Sequence, residues 1–306
     1  MSHSSMYRLN SALFNATFAS RLTTAFAFGP LTMKVCLFSL FLFLLAVTPM
    51  GSLRAQDTPK WLKDVTRLPP GGHADLRPVK LDYTLSWNNR VNAGKFEVAI
   101  MRDGSSEGKF VGDASGKSTG FARLVWPYDF KARSIVSENS LRPLTFQLSE
   151  RERNEVNSYD IIFGNNEQQF RTTSKKENTE AVSQSRSFKF DYGHDVLSSA
   201  FYLRSLELKK GQKVSMVVTP FNKPYLANFV VVGREVHKMK GTKYSAIKLD
   251  ADVGKINGDL SIKNYEKIKK TSLWVSDDRY RIPLELQTYI SVGYISARLI
   301  EMDWLD

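Results

Sequence analysis

The sequence predicts a mostly β protein, an antiparallel curved sheet or unclosed β-barrel with one or two short helices. Three observations carry that reading. From Val79 onward apolar residues recur with period two in runs of strand length, the alternation of strands with one buried face. Turn residues separate these runs at spacings of roughly ten residues, as in all-β domains. Long helical runs do not alternate with the strands, which excludes the doubly wound nucleotide-binding folds.

Residues 1–55 are expected to stand outside this fold. Met33-Lys34 precedes VCLFSLFLFLLAV, the breakers Pro49 and Gly51 follow, and Ala55 stands before Gln56. A cationic start, a short apolar stretch and a small residue at the end make a secretory signal peptide. The stretch falls short of the roughly 20 residues a bilayer span needs. The competing reading is a retained N-terminal anchor, because Leu53 rather than alanine stands three residues before the cut. Residues 1–32 lack the periodicity of a folded element, which points to Met33 as the true start. The one cysteine, Cys36, lies inside the leader. After cleavage there is no thiol for disulfides, nucleophilic catalysis or thiolate metal sites. An exported chain of this size can do without disulfides, since roughly 250 residues bury one large core.

Residues 56–77, with Pro59, Pro69-Pro70 and Gly71-Gly72, read as an N-terminal strap, and 78–306 as a single antiparallel β domain. Leu81, Tyr83, Leu85 and Trp87 alternate with polar neighbours up to the turn at Asn88-Asn89. Phe96, Val98 and Ile100 continue on the next strand, to Asp103-Gly104. The pattern repeats in LTFQLSERE, SYDIIFGNN, KVSMVVT, NFVVVGREV and KYSAIKLDADV. Gly120–Trp126 before Pro127 reads as one or two helical turns that the proline helps to stop. In HDVLSSAFYLRSLELKKG, Asp195 is an N-cap, Val196, Leu197, Ala200, Phe201 and Leu203 form an apolar face, and Gly211 ends the segment.

LWVSDDRYRIPLELQ (273–287) sets Asp277 and Asp278 side by side. As catalytic acids they would have to converge on one pocket. As a hairpin tip between strands around Leu273–Ser276 and Arg281–Ser291 they would supply turn hydrogen bonds. The alternation of Ile282, Leu284, Leu286, Thr288 and Ile290 is then expected to set the inward face, and the hairpin is the reading adopted.

Three blocks, LDYTLSWNNRVNAGKFEV, HDVLSSAFYLRSLELKKGQKV and SLWVSDDRYRIPLELQTYISVGYISARL, together resemble the exported bacterial family catalogued as domain of unknown function 3108. The resemblance spans nearly all of 78–302; it implies an exported β-rich protein with a signal peptide and no named activity. Trp274 to Pro283 is also similar to the hairpin of the periplasmic lipoprotein carrier. That likeness implies an unclosed barrel around helices whose concave apolar side holds acyl chains.

The 43 Lys and Arg against 31 Asp and Glu give a net charge of +12. The leader region contributes Arg8, Arg21, Lys34 and Arg54 and no acid, leaving about +8 on the remainder. For an exported chain this favours anionic lipid or polysaccharide over nucleic acid. Clusters such as Lys175-Lys176, Lys209-Lys210 and Lys267-Ile268-Lys269-Lys270 alternate with acids and read as strand edges and turns.

His194-Asp195 beside Ser198-Ser199 invites a hydrolase triad, but no Gly-x-Ser-x-Gly elbow exposes a serine, and helix capping is the better reading. His73 and His237 lie far apart in sequence without zinc-ligand spacing, and Asp250, Asp252 and Asn257 lack the pattern of a calcium loop. No catalytic residue, metal or cofactor is therefore assigned. Trp87, Phe96, Trp126, Phe201, Phe229 and Trp274 are the residues that would line a cavity if the curved sheet encloses one. The expected protein is periplasmic and non-enzymatic, with a lipid or other apolar ligand, or an envelope protein, as partner. The alternatives are a structural or assembly factor acting through its surface and a hydrolase of envelope polymers.

Overall fold

The computed structural model describes residues 59–104, 108–264, 268 and 270–305. The expected leader, with Met33, Cys36 and Ala55, lies outside the described residues. In chain order the elements are α1 (Trp61–Asp64), β1 (Val79–Trp87), β2 (Val91–Arg102), β3 (Lys109–Ser118), α2 (Gly120–Val125), β4 (Tyr128–Ser137), β5 (Pro143–Glu152), β6 (Glu155–Phe163), β7 (Gln168–Lys176) and β8 (Val182–Phe188). They continue as β9 (Gly193–His194), α3 (Val196–Ser205), β10 (Lys213–Val218), β11 (Tyr225–Met239), β12 (Thr242–Ile256), β13 (Ile262–Asn264), β14 (Lys270–Ser276), β15 (Pro283–Tyr289) and β16 (Tyr294–Trp304).

All strands join one 16-stranded sheet in the order β8-β7-β6-β5-β4-β3-β2-β1-β16-β15-β14-β12-β11-β10-β9, with β13 beside β12. Pairing is antiparallel throughout except for β9 on β10. The sheet curves without closing: β8 and β9 are its free edges. Side chains of β6 and β7 meet the β10–β11 connection across the opening. Thr219 Oγ1 donates to Gln168 Oε1 at 2.8 Å, Asn222 Nδ2 donates to Thr172 Oγ1 at 3.2 Å, and Tyr159 meets Phe221 edge-on at 5.2 Å. β8 itself carries Ser183, Gln184, Ser185 and Arg186 on an exposed edge, a composition that discourages pairing with another chain.

The inner face holds the main core, and α3 lies against it. Asp195 caps α3 by accepting from the amides of Leu197 (2.7 Å) and Ser198 (2.9 Å), while Ser198 Oγ accepts from the Asp195 amide at 3.0 Å, a reciprocal capping box. Two expectations for this segment need correction. The helix stops at Ser205 rather than running to Gly211. Leu206 and Leu208 are drawn into the core, Leu208 at φ 56°, and the Arg281 guanidinium donates to the carbonyls of Leu206 and Glu207. A side chain from another hairpin thus satisfies the chain that leaves the helix, and Gly211 only serves the turn into β10. Nor is the helix one-sided: Tyr202, Arg204 and Ser205 are buried with Leu197, Phe201 and Leu203.

The lead-in segment covers part of the outer face. Trp61 and Val65 pack with Phe190, Val217, Leu226 and Ile256. Trp61 Nε1 donates to the Leu260 carbonyl at 2.9 Å, and the Thr66 amide donates to the Ser215 carbonyl at 2.8 Å.

The β14–β15 hairpin carries the adjacent aspartates at its turn. Asp278 Oδ1 accepts from Ser276 Oγ (2.9 Å), the Tyr280 amide (2.8 Å) and the Arg281 amide (3.0 Å). Asp277 points elsewhere, to Arg234 at 3.0 Å. The expected alternation of Ile282, Leu284 and Leu286 is broken by a β-bulge. Leu273 pairs with Leu286 and Trp274 with Glu285, but Val275 pairs with Pro283. The extra residue sends Leu284 to the outer face, where it packs with Trp274, Met239 and Ala246, while Ile282 and Leu286 stay on the inner side. One inserted residue changes which face a side chain meets.

Candidate functional site

On the inner face, β3 presents Gly112, Ala114 and Gly116 in alternation. A Cβ on Gly112 would sit 3.2 Å from Leu197 and Phe201, and one on Gly116 would sit 2.5 Å from Phe96 and Phe130. Gly116 leaves room for the close approach of the Phe130 ring and the Phe96 Cβ, while at Gly112 the contact with α3 is tight. Around this floor Tyr83 stacks on Phe96 at 4.7 Å, and Trp126 on Tyr128 at 4.5 Å.

A carboxylate lies among these rings. Glu150 follows Phe146 and Leu148 on the inward phase of β5 and is 3% exposed. It accepts from Tyr128 Oη at 2.8 Å and from Tyr159 Oη at 3.1 Å. Burial pushes both phenols above the ordinary tyrosine range, and the charge of Glu150 pushes the same way. Glu152 accepts from Trp126 Nε1 at 2.9 Å. It also borders an open recess of about 420 Å³ lined by the β5–β6 and β7–β8 turns, including Arg153, Asn154, Glu155, Lys176 and Glu177.

The outer face carries a second buried polar cluster. Lys248, Trp274, Glu285 and Arg298 are register partners on β12, β14, β15 and β16, so they form a row across the sheet. The long β11–β12 hairpin extends beyond its partner and covers that row. His237 stacks on Trp274 at 4.5 Å, and its Nε2 lies 2.8 Å from Glu285 Oε2. Lys248 Nζ is 5.1 Å from the Trp274 ring, whose Nε1 donates to Glu235 Oε1 at 2.8 Å. Glu285 is 2% exposed. It also accepts from Gln287 Nε2 (2.8 Å) and Asn89 Nδ2 (3.3 Å), with Arg298 Nε at 3.7 Å. Burial alone would raise this carboxyl, but hydrogen bonds from His237 and Gln287 and the charge of Arg298 hold it below the ordinary glutamate range. Such an arrangement holds charge in place.

The profile of a family of proteins of unknown function, DUF3108, matches residues 82–300. The chain belongs to that family. No match to the sequence is found among curated proteins. Among solved structures, this DUF3108 member is similar to a β-barrel-like protein of the domain of unknown function DUF1849 from Brucella abortus. The TM-score is 0.51 at 9% identity, over 76% of this chain and 100% of that one. At that identity the likeness shows the fold alone. A protein described as exported, with a YmcC-like fold, from Bacteroides fragilis scores 0.33 at 4% identity over 76% and 99% of the two chains. A protein described as a lipoprotein from Parabacteroides distasonis scores 0.28 at 6% identity over 78% and 100%.

The six aromatic residues singled out from the sequence do not gather at one place in this DUF3108 chain. Phe96, Trp126 and Phe201 belong to the main core, with Phe229 partly buried against it. Trp274 lies on the outer face under His237. Trp87 stands half-buried at the end of β1, where its Nε1 donates to the Val292 carbonyl at 3.0 Å.

The residues of the hydrolase reading are spoken for by structure. Asp195 caps α3 and accepts from Ser134 Oγ at 2.6 Å, and Ser198 completes the capping box. His194 is fully buried, stacks on Tyr202 at 5.2 Å, and neither ring nitrogen has a hydrogen-bond partner among the described residues. Burial drives its pKa down to about 3. Of the calcium-loop residues, Asp250 accepts from Ser272 Oγ and pairs with Lys270, Asp252 accepts from Asn228 Nδ2, and Asn257 donates to Ser261 Oγ. Among the described residues no group of three or more His, Cys, Asp or Glu is placed to hold a metal, and no helix is long and apolar enough to cross a membrane.

Sequence reasoning missed Glu150 and Glu285. Glu150 was readable, because it keeps the phase of Phe146 and Leu148. Glu285 was not, because its cover comes from a hairpin 48 residues away.

Proposed function

We propose that this protein is an exported, periplasmic, non-enzymatic component of the cell envelope that works through its surface, as a structural or assembly factor. The observation that carries the reading is the packing over β3. The Phe130 ring of β4 and the Phe96 Cβ of β2 lie so close to Gly116 that a single added carbon would collide with them, and Leu197 and Phe201 of α3 press tightly on Gly112. A concave face filled by the protein's own side chains leaves its outer surface and rims to meet partners. Native mass spectrometry of protein extracted gently from its own envelope tests this. The mass of the polypeptide alone is expected; a retained apolar small molecule would overturn the reading.

A second reading has an observation of its own. Glu150 with Tyr128 and Tyr159, set among aromatic rings, has the make-up of a ligand pocket, with apolar walls and a few converging polar groups. On that reading a lipid-like molecule sits on the concave side against Phe96, Trp126, Phe201 and Phe229, and the retained molecule in the same experiment would be its signature.

A further inference from the structure

We propose that the rim formed by α2, the β1–β2 turn and the β15–β16 turn docks on a membrane surface rich in anionic phospholipid. The proposal rests on the surface-acting reading and names its partner.

These connections are neighbours held together by hydrogen bonds. The Thr119 amide donates to the Ala93 carbonyl at 3.0 Å, next to the β1–β2 turn. The Asn88 amide in that turn donates to the Tyr294 carbonyl at 2.8 Å, and Trp87 Nε1 donates to the Val292 carbonyl at 3.0 Å. Apolar side chains stand out from this edge. Leu124 is 81% exposed, Phe121 52% and Val292 46%. α2 turns Ala122 into the protein and Leu124 outward, the reverse of what burial of its largest side chains would give.

Charge selects the occupant. Segments 88–95, 117–127 and 290–293 contain Arg90, Lys95, Lys117 and Arg123 and no acidic residue. Lys95 and Lys117 are direct cross-strand partners, both exposed. Like charges set opposite each other are destabilising. The carboxylate in register with Lys117 on its other side, Asp129, is held by Arg123 at 2.8 Å. Among the described residues no carboxylate forms an ion pair with Arg90, Lys95 or Lys117. An apolar protrusion ringed by such cations fits lipid phosphates around a shallow apolar insertion, and a protein partner of mixed charge would not ask for that uniformity.

The test is co-sedimentation of protein purified from its own cells with vesicles of phosphatidylethanolamine and phosphatidylglycerol, and with vesicles of phosphatidylcholine alone. Binding to the anionic vesicles is expected, weakened by added salt. Leu124→Ser with Phe121→Ser should lower the affinity about tenfold or more. Lys95→Gln with Lys117→Gln should lower it comparably on anionic vesicles only. Both pairs change exposed side chains, and circular dichroism checks that each variant is folded. Equal binding by wild type and folded variants, or equal binding to both vesicle types, would overturn the proposal. If wild type ignores anionic vesicles, the membrane assignment falls while the surface-acting reading stands; that reading falls instead if a small molecule co-purifies. Protection of Phe121 and Leu124 by a bound protein rather than by lipid would overturn the membrane assignment and leave the surface-acting reading standing.

Discussion

Glu150 and Glu285 are buried to nearly the same depth on opposite faces of one sheet, and they are accommodated by different means. On the inner face Glu150 meets two neutral phenols within the core. On the outer face Glu285 meets His237, Arg298 and two side-chain amides, under a hairpin that arrives from elsewhere in the chain. The inner carboxylate is met by phenols from the neighbouring strands β4 and β6. An outer one stays buried only while its cover does, so the outer cluster reports on the β11–β12 hairpin as the inner cluster reports on the core.

The outer cover breaks most severely at Leu284. It lies 2% exposed beside Glu285 in contact with Trp274, Met239 and Ala246, so Leu284→Asp sets a second carboxylate among apolar side chains. We expect a loss of about 4 kcal/mol or more, and a fall of about 10 °C in a thermal melt. On the inner face, Tyr128→Phe combined with Tyr159→Phe removes both phenol donors to Glu150 at almost constant volume. We expect a loss of about 3 kcal/mol, with the single variants summing to less than the pair. Urea titration of the four proteins measures this coupling, and strict additivity would show that the two phenols act separately.

Acid acts on another buried ionisable group as well, His194. Its folded pKa of about 3 lies below the value near 6.5 of an exposed histidine. The unfolded chain therefore binds a proton that the folded chain refuses between those values, and stability falls as pH drops through 6.5. By pH 4 the loss from this group is roughly 3 kcal/mol. Glu285 acts lower on the scale: its carboxyl is held down in the fold, so its contribution is intact above the ordinary glutamate range and is lost as pH falls through the lowered folded value. His194→Phe should flatten the limb between pH 6.5 and 4 and leave the more acidic limb. An unchanged profile would assign the upper limb elsewhere.

His237→Phe sharpens the comparison further. Phenylalanine keeps a ring on Trp274 and loses the hydrogen bond to Glu285, for an expected cost of about 1–2 kcal/mol. Hydrogen exchange should quicken in the amides of 233–246 and leave those of β5 and β6 unchanged. Uniform quickening would mean that the hairpin is not an independent cover.

What the sequence made legible follows the same division. Strand alternation, α2, the Asp195 cap and the 277–278 turn are local, with partners a few residues away, and each could be read from spacing. Three features were not legible. Helix α3 ends early because Arg281, far along the chain, donates to the carbonyls beyond its last turn. Leu284 changes face because a bulge adds one residue to β15, and period-two reasoning has no term for an added residue. The row through Trp274 and Glu285 is buried by a hairpin whose folding back is a tertiary fact. Large aromatics alone could not say which of these faces each would meet.

The smallest expected effect concerns the neighbouring aspartates, where the comparison of two carboxylates returns at the surface. Asp278 gathers Ser276 Oγ and two backbone amides of its own turn, while Asp277 reaches Arg234 on the β11–β12 hairpin. Asparagine keeps a side-chain oxygen for the turn donors, so Asp278→Asn should stay within about 0.5 kcal/mol of wild type. Asp277→Asn weakens one partly exposed ion pair, a class of interaction worth about 0–1 kcal/mol that salt screens. The two should therefore differ in salt dependence more than in size. In thermal melts at low and high sodium chloride, Asp277→Asn is expected to approach wild type as salt rises, whereas any deficit of Asp278→Asn persists. If Asp277→Asn instead costs several degrees at every salt concentration, Asp277 is doing more than joining the hairpin to β11, and the pair would have to be reconsidered as a site.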